Sequence, residues 1–152
     1  MMLIDEKHLL KEIFVRLVEM VYIIRELIKY TVMYYKRNEL TILYNKNKAL
    51  DRKALAMAHT LGVRINKQEL STVRMSESLF IKFLDSLGKE AKTLVDKSNP
   101  YYQSELKGKQ FDSSEWYEII RHRPRLLKAP LAMFKDRAVI CQSPNDMLKL
   151  SC

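Results

Sequence analysis

The sequence predicts an α/β fold: a four-stranded mixed sheet with a helical insert, preceded by one long amphipathic helix. Three observations point there. Apolar residues recur at helical spacing from Leu9 to Tyr35. A strand, a helix and a second strand follow one another from Leu40 to Glu69, within about thirty residues, which is the βαβ pattern of a parallel pair. Two short apolar runs near the C-terminus flank a polar turn, as in an antiparallel hairpin.

In the first element Leu10, Phe14, Leu17, Val21, Ile24 and Ile28 form the stripe, with Arg16, Glu19, Arg25, Glu26 and Lys29 between them. Charges so frequent would cost about 2.5 to 3.5 kcal/mol each near a bilayer centre, so a membrane span is disfavoured. The stripe suits another chain, in an oligomer or a complex, or the surface of its own domain. A translation start at Met33 would instead leave residues 1–32 outside the natural chain. Lys36, Arg37, Asn38 and Glu39 make a polar junction. The expected division is residues 1–38 as a helical extension and 39–152 as the α/β domain.

Leu40 to Tyr44 (LTILY) is almost wholly apolar, as suits a strand covered on both faces. Asn47 is the expected N-cap of a helix running to Leu61 and ended by Gly62. Val63 to Glu69 follows as a strand. The insert is helical: Ser76 to Leu87 stopping at Gly88, short pieces at Ala91–Val95 and Tyr101–Leu106, and a helix from Ser113 to His122. Asp112 with Glu115 predicts a capping box for the last of these. Leu131–Phe134 and Ala138–Cys141 flank Lys135, Asp136 and Arg137 as the hairpin. Ser143 and Pro144 start a closing helix.

Composition narrows the class. With 47% hydrophobic residues, 30% charged and three glycines, the chain is neither disordered nor fibrous. Two cysteines, Cys141 and Cys152, are too few for a disulfide framework and suggest a reducing, cytoplasmic setting. The N-terminus lacks a signal-peptide pattern. His8, His59 and His122 stand far apart with no companion ligand at metal spacing, so no metal and no cofactor are expected. The net charge of +9 favours acidic partners without choosing among nucleic acid, lipid and protein. Trp116 and Tyr117 read as packing residues.

The order βαβ, helical insert, proline-led hairpin and closing helix resembles the thioredoxin-like arsenate reductase (ArsC) and Spx family over about residues 40 to 150. Tyr44 to Leu55 (YNKNKALDRKAL) resembles that family's first strand and active-site loop. Leu126 to Leu131 (LLKAPL) and Asp136 to Pro144 (DRAVICQSP) resemble its Leu-Leu-x-Arg-Pro-Ile segment, hairpin and closing-helix start. In the family a cysteine opens the first helix, where the helix dipole stabilises its thiolate. Matching Arg52 to the arginine that follows the motif puts Lys48 at the nucleophile and Asp51 where Spx-type members carry a second cysteine. Three family arginines bind the tetrahedral anion; Asp96, Ala129 and Gln142 stand in their places here. Neither Lys48 nor Asp51 can form a thiolate or a mixed disulfide, so the resemblance implies a fold kept and a thiol chemistry lost. Pro130 falls where thioredoxin-like domains hold a cis-proline, with a structural role expected.

Lys48, Arg52, Arg121, Arg123, Arg125 and Lys128 are the candidate anion-binding residues, and in the family fold their two segments approach one another. The leading expectation is a non-catalytic protein acting through contacts with a protein partner, in a regulatory capacity; Spx-type relatives bind RNA polymerase. One alternative is an oxidoreductase of the arsenate reductase or glutaredoxin-linked type, for which Cys141 would have to supply the thiol. The other is weak binding of an anionic ligand or nucleic acid by the basic face, with no recognised sequence-reading motif.

Overall fold

The structure, a computed structural model, describes residues 5–151, with residues 33–37 by their backbone only. The chain divides into two compact units, one ending at Arg37 and one beginning at Asn38.

The first unit is a single helix, α1 (Glu6–Arg37), longer at both ends than its apolar stripe. Its stripe residues are all exposed, from 49% at Leu17 and Ile24 to 66% at Phe14. Among the described residues no helix is long and apolar enough to cross a membrane.

The second unit is built on a four-stranded sheet of β1 (Glu39–Tyr44), β2 (Arg64–Glu69), β3 (Leu131–Phe134) and β4 (Arg137–Ile140), in the order β2-β1-β3-β4. Strand β1 runs parallel to β2, with Leu40 opposite Ile65, and antiparallel to β3, with Ile42 opposite Ala132. Strands β3 and β4 form the antiparallel hairpin. Alternation along β1 explains its composition: Leu40 and Ile42 enter one buried cluster, and Leu43 enters the other. Helix α2 (Ala49–His59) brings Ala54 and Ala58 to the first cluster, joined by Met147 and Leu150 of a closing 3₁₀ segment, Pro144–Leu150.

Helices α3 (Glu77–Leu87) and α4 (Ser113–His122) cover the opposite face through Phe80, Phe83, Trp116 and Ile120. The capping box is present: Asp112 accepts from the Glu115 N–H at 2.8 Å, and Glu115 accepts from the Asp112 N–H at 2.8 Å. Between the helices lie a 3₁₀ turn at Ala91–Leu94 and a π-helical turn at Tyr102–Leu106. Trp116 is buried edge-on against Phe111, and the Tyr117 hydroxyl donates to the Met75 carbonyl.

Three local expectations need correction. The N-cap of α2 is Lys48, which has extended backbone dihedrals and makes no side-chain capping bond. Asn47 instead donates its N–H to the Asn45 side chain within the preceding loop, so its capping preference has no helix end to serve. Strand β4 starts at Arg137 and not Ala138, because the hairpin turns on two residues, with Lys135 at φ 55°. Two-residue hairpins favour such positive φ values because they match the twist of the strands. The closing segment is 3₁₀ rather than α-helical.

Candidate functional site

The site begins where β1 ends. Strand β1 delivers the chain at Tyr44 to a tight loop, and α2 starts five residues later with Lys48 at its cap. Across from it, the Ala91–Leu94 turn and the segment before β3 are tied together by backbone hydrogen bonds. The Asp96 N–H donates to Leu126 at 2.7 Å and the Lys128 N–H donates to Leu94 at 2.7 Å, around the bridge between Val95 and Leu127. This ladder sets Asp96 opposite Leu126 and Lys128 opposite Leu94, so that Asp96 and Lys128 lie diagonally across it. The Ala129–Pro130 peptide that follows is cis, and the Pro130 carbonyl accepts from the Cys141 N–H at 2.9 Å.

Lys48, Asp96, Lys128, Ala129, Cys141 and Gln142 together line one open groove of about 720 Å³. The residues placed by resemblance at the nucleophile and the three arginines thus meet in space, although they span nearly a hundred positions of sequence. Lys89, just beyond α3, and Lys149, in the closing 3₁₀ segment, also reach the groove. Sequence reasoning missed both, since each is a single lysine outside the basic clusters that the sequence marks.

The other candidates do not line the groove. Arg52 donates to the Lys46 carbonyl at 2.9 Å, Arg121 pairs with Glu118 at 3.1 Å on α4, and Arg123 lies 3.8 Å above the ring of Tyr101. Arg125 is exposed and its carbonyl accepts from the Asn99 side chain. The groove therefore collects four lysines around one carboxylate, and the arginine-rich run contributes to it only through Lys128.

Asp51 sits beneath the loop and is fully buried. One carboxylate oxygen accepts from the Asn45 N–H at 2.7 Å, while Oδ1 has no partner. Burial pushes this acid up, against the opposing pull of the Asn45 N–H and the Lys48 charge. Asp96 goes the other way: burial would raise it, but the Ser98 hydroxyl and N–H, with Lys48 and Lys128 nearby, hold it below its ordinary value. The Ser98 contacts are 2.6 and 2.9 Å.

Cys141 is 3% exposed at the groove floor and lies 3.4 Å from the sulfur of Met147. Its thiol is pushed up to about 12, first by burial and then by Asp146 and Asp51, with Lys149 opposing. A thiol so placed is a poor source of the thiolate that attacks disulfides. Asp146 is held at about 2 by Lys149 at 2.8 Å and by the N–H groups of Ser143 and Gln142. Cys152 lies outside the described residues. Among those described, no three His, Cys, Asp or Glu side chains gather as a metal site.

No protein-family model and no curated protein matches the sequence. Solved structures do. A Yersinia pestis protein assigned to the arsenate reductases superposes with a TM-score of 0.63 at 23% identity, over 72% of this chain and 98% of its own. An arsenate reductase from Vibrio cholerae gives 0.63 at 20% identity, over 74% and 97%. A Staphylococcus aureus protein solved in solution gives 0.62 at 21% identity, over 74% and 97%. Each neighbour is matched almost end to end, and about three quarters of this chain has the thioredoxin-like fold of the arsenate reductases.

Proposed function

We propose that the domain from residue 39 to 152 is a non-catalytic arsenate reductase-like module that works through contacts with a partner protein, in a regulatory capacity and in the cytoplasm. The observation that carries this reading is the meeting of Lys48, Asp96, Ala129 and Gln142 in one groove. At the helix start, where a thiolate would attack, there is an ammonium; where cations would clamp an oxyanion there are a carboxylate, a methyl group and an amide. Lysine at the cap and aspartate at the wall still attract charged groups, so the groove keeps recognition chemistry, while the position at the helix start has no sulfur and the one thiol in the lining, Cys141, is buried with its pKa pushed up to about 12.

The enzymatic alternative rests on Cys141 alone. Arsenate reduction and glutathione mixed-disulfide reduction should stay at the no-protein rate for the parent chain and for Cys141→Ser alike. Turnover in the parent that Cys141→Ser abolishes would overturn the proposal. The contact role is tested by affinity capture from native extract, comparing the parent with Lys48→Glu/Lys128→Glu. The expected result is a specific partner retained by the parent and lost by the double variant; recovery of none would defeat the reading.

A second reading is favoured by the four lysines. Binding of a phosphorylated ligand in the groove would neutralise phosphate charge and fall steeply with salt, at a log-log slope of about −0.9 per phosphate for duplex DNA. A flat salt response would remove it.

A further inference from the structure

We infer that α1 is a self-association element, in which two copies of this chain pair their first helices in parallel as a two-stranded coiled coil. The stripe follows a strict heptad. Steps of four, three, four, three and four residues connect Leu10, Phe14, Leu17, Val21, Ile24 and Ile28, so Phe14, Val21 and Ile28 fall at a and Leu10, Leu17 and Ile24 at d. That 3.5-residue repeat stays on one seam when helices supercoil around each other. The seam is about 27 Å long at 1.5 Å per residue. All six side chains are between 49% and 66% exposed.

The flanking positions select the occupant. In a parallel pair each g residue faces the e residue five places on in the other copy. Glu6 then faces Lys11 of the second copy, Ile13 faces Val18, Met20 faces Arg25 and Leu27 faces Val32, so one pair joins opposite charges, two are apolar, one sets a thioether along the arginine stem, and none sets like charges together. The antiparallel alignment that overlaps the same six seam residues instead puts Lys11 against Arg25 twice, which is repulsive. Branched Val21 and Ile28 at a, with leucine at two of three d positions, suit two strands. The acidic residues Glu12, Glu19 and Glu26 share the f position, on the side away from the seam.

Sedimentation velocity of the full chain under reducing conditions tests this. The expected species has twice the 18.0 kDa chain mass. Val21→Asp/Ile24→Asp should raise the dissociation constant by more than about 100-fold, since it buries charges in the seam. Because α1 forms a unit of its own, Trp116 fluorescence should show the second unit still folded in that variant. Orientation is read by Ile28→Cys in a Cys152→Ser background: parallel helices bring the two thiols together and give an oxidised dimer. Antiparallel helices would hold them about 27 Å or more apart. Glu6→Lys should weaken the dimer several-fold and Glu6→Lys/Lys11→Glu should restore it. A monomer at every concentration, a trimer, a dimer indifferent to Val21→Asp/Ile24→Asp, no cross-link through residue 28, or pelleting with anionic vesicles in place of self-association would each overturn the inference.

Discussion

Asp51 and Asp96 are both aspartates brought close to Lys48, yet burial and hydrogen bonding send them in opposite directions. Asp51 is fully enclosed and one of its oxygens has no partner, so its charged form is disfavoured. Asp96 is half-buried, takes two bonds from Ser98 and lies near two lysines, so its charged form is favoured. The difference separates two kinds of replacement at what resembles one active site. Asp51 pins the loop that presents Lys48, whereas Asp96 contributes to the groove's field.

The largest effect should come from breaking the pin. Asp51→Ala leaves the Asn45 N–H without its acceptor and should cost about 1 to 3 kcal/mol in urea denaturation below pH 3.8, where the contribution of this acid is complete. Asp96→Ala, on the partly solvated wall, should cost less than about 1 kcal/mol. Equal losses would erase the distinction.

The pH dependences should have opposite signs. A buried acid with a raised native pKa binds its proton more tightly when folded. Its stabilising contribution is complete below the unfolded value near 3.8 and is lost as pH rises through the raised value. Asp96 is lowered, so its contribution is present above 3.8 and is lost as pH falls towards its native value. Subtracting stability profiles of Asp51→Asn and Asp96→Asn from the parent should give slopes of opposite sign over that acid range. Slopes of the same sign would refute the assignment.

Cys141 offers a kinetic version of the same contrast. With its pKa at about 12, the thiolate fraction at pH 8 is about one in ten thousand, against about one in ten for an ordinary thiol at 9. In a Cys152→Ser background, disulfide-reagent labelling should therefore be about a thousandfold slower in the native protein than in urea, and slower still for lack of access. The smallest effect is on Asp96 itself: Lys48→Ala/Lys128→Ala should raise its pKa modestly, read by carboxyl NMR titration.

Much of the frame was legible because single segments carry it. The LTILY run is apolar on both faces because both faces are covered, and Asp112 with Glu115 marks the start of α4 through atoms only three residues apart. Strand β2 (RINKQE) was legible mainly from its place after α2, since its residues are only partly buried. The groove was legible only through the order of motifs, because its walls come from distant segments joined by backbone bonds. The arginine-rich run shows why local density misleads: Arg121 and Arg123 are close in sequence, yet one pairs along α4 and the other stacks on Tyr101. Lys89 and Lys149 show the converse, two isolated cations that folding gathers.

Trp116 is the only tryptophan in the chain, and it is buried in the cluster on the α3–α4 face of the sheet. Its emission is therefore an internal optical gauge of whether that layer is intact. A titration that changes molecular mass without moving the fluorescence would separate assembly from folding in one sample.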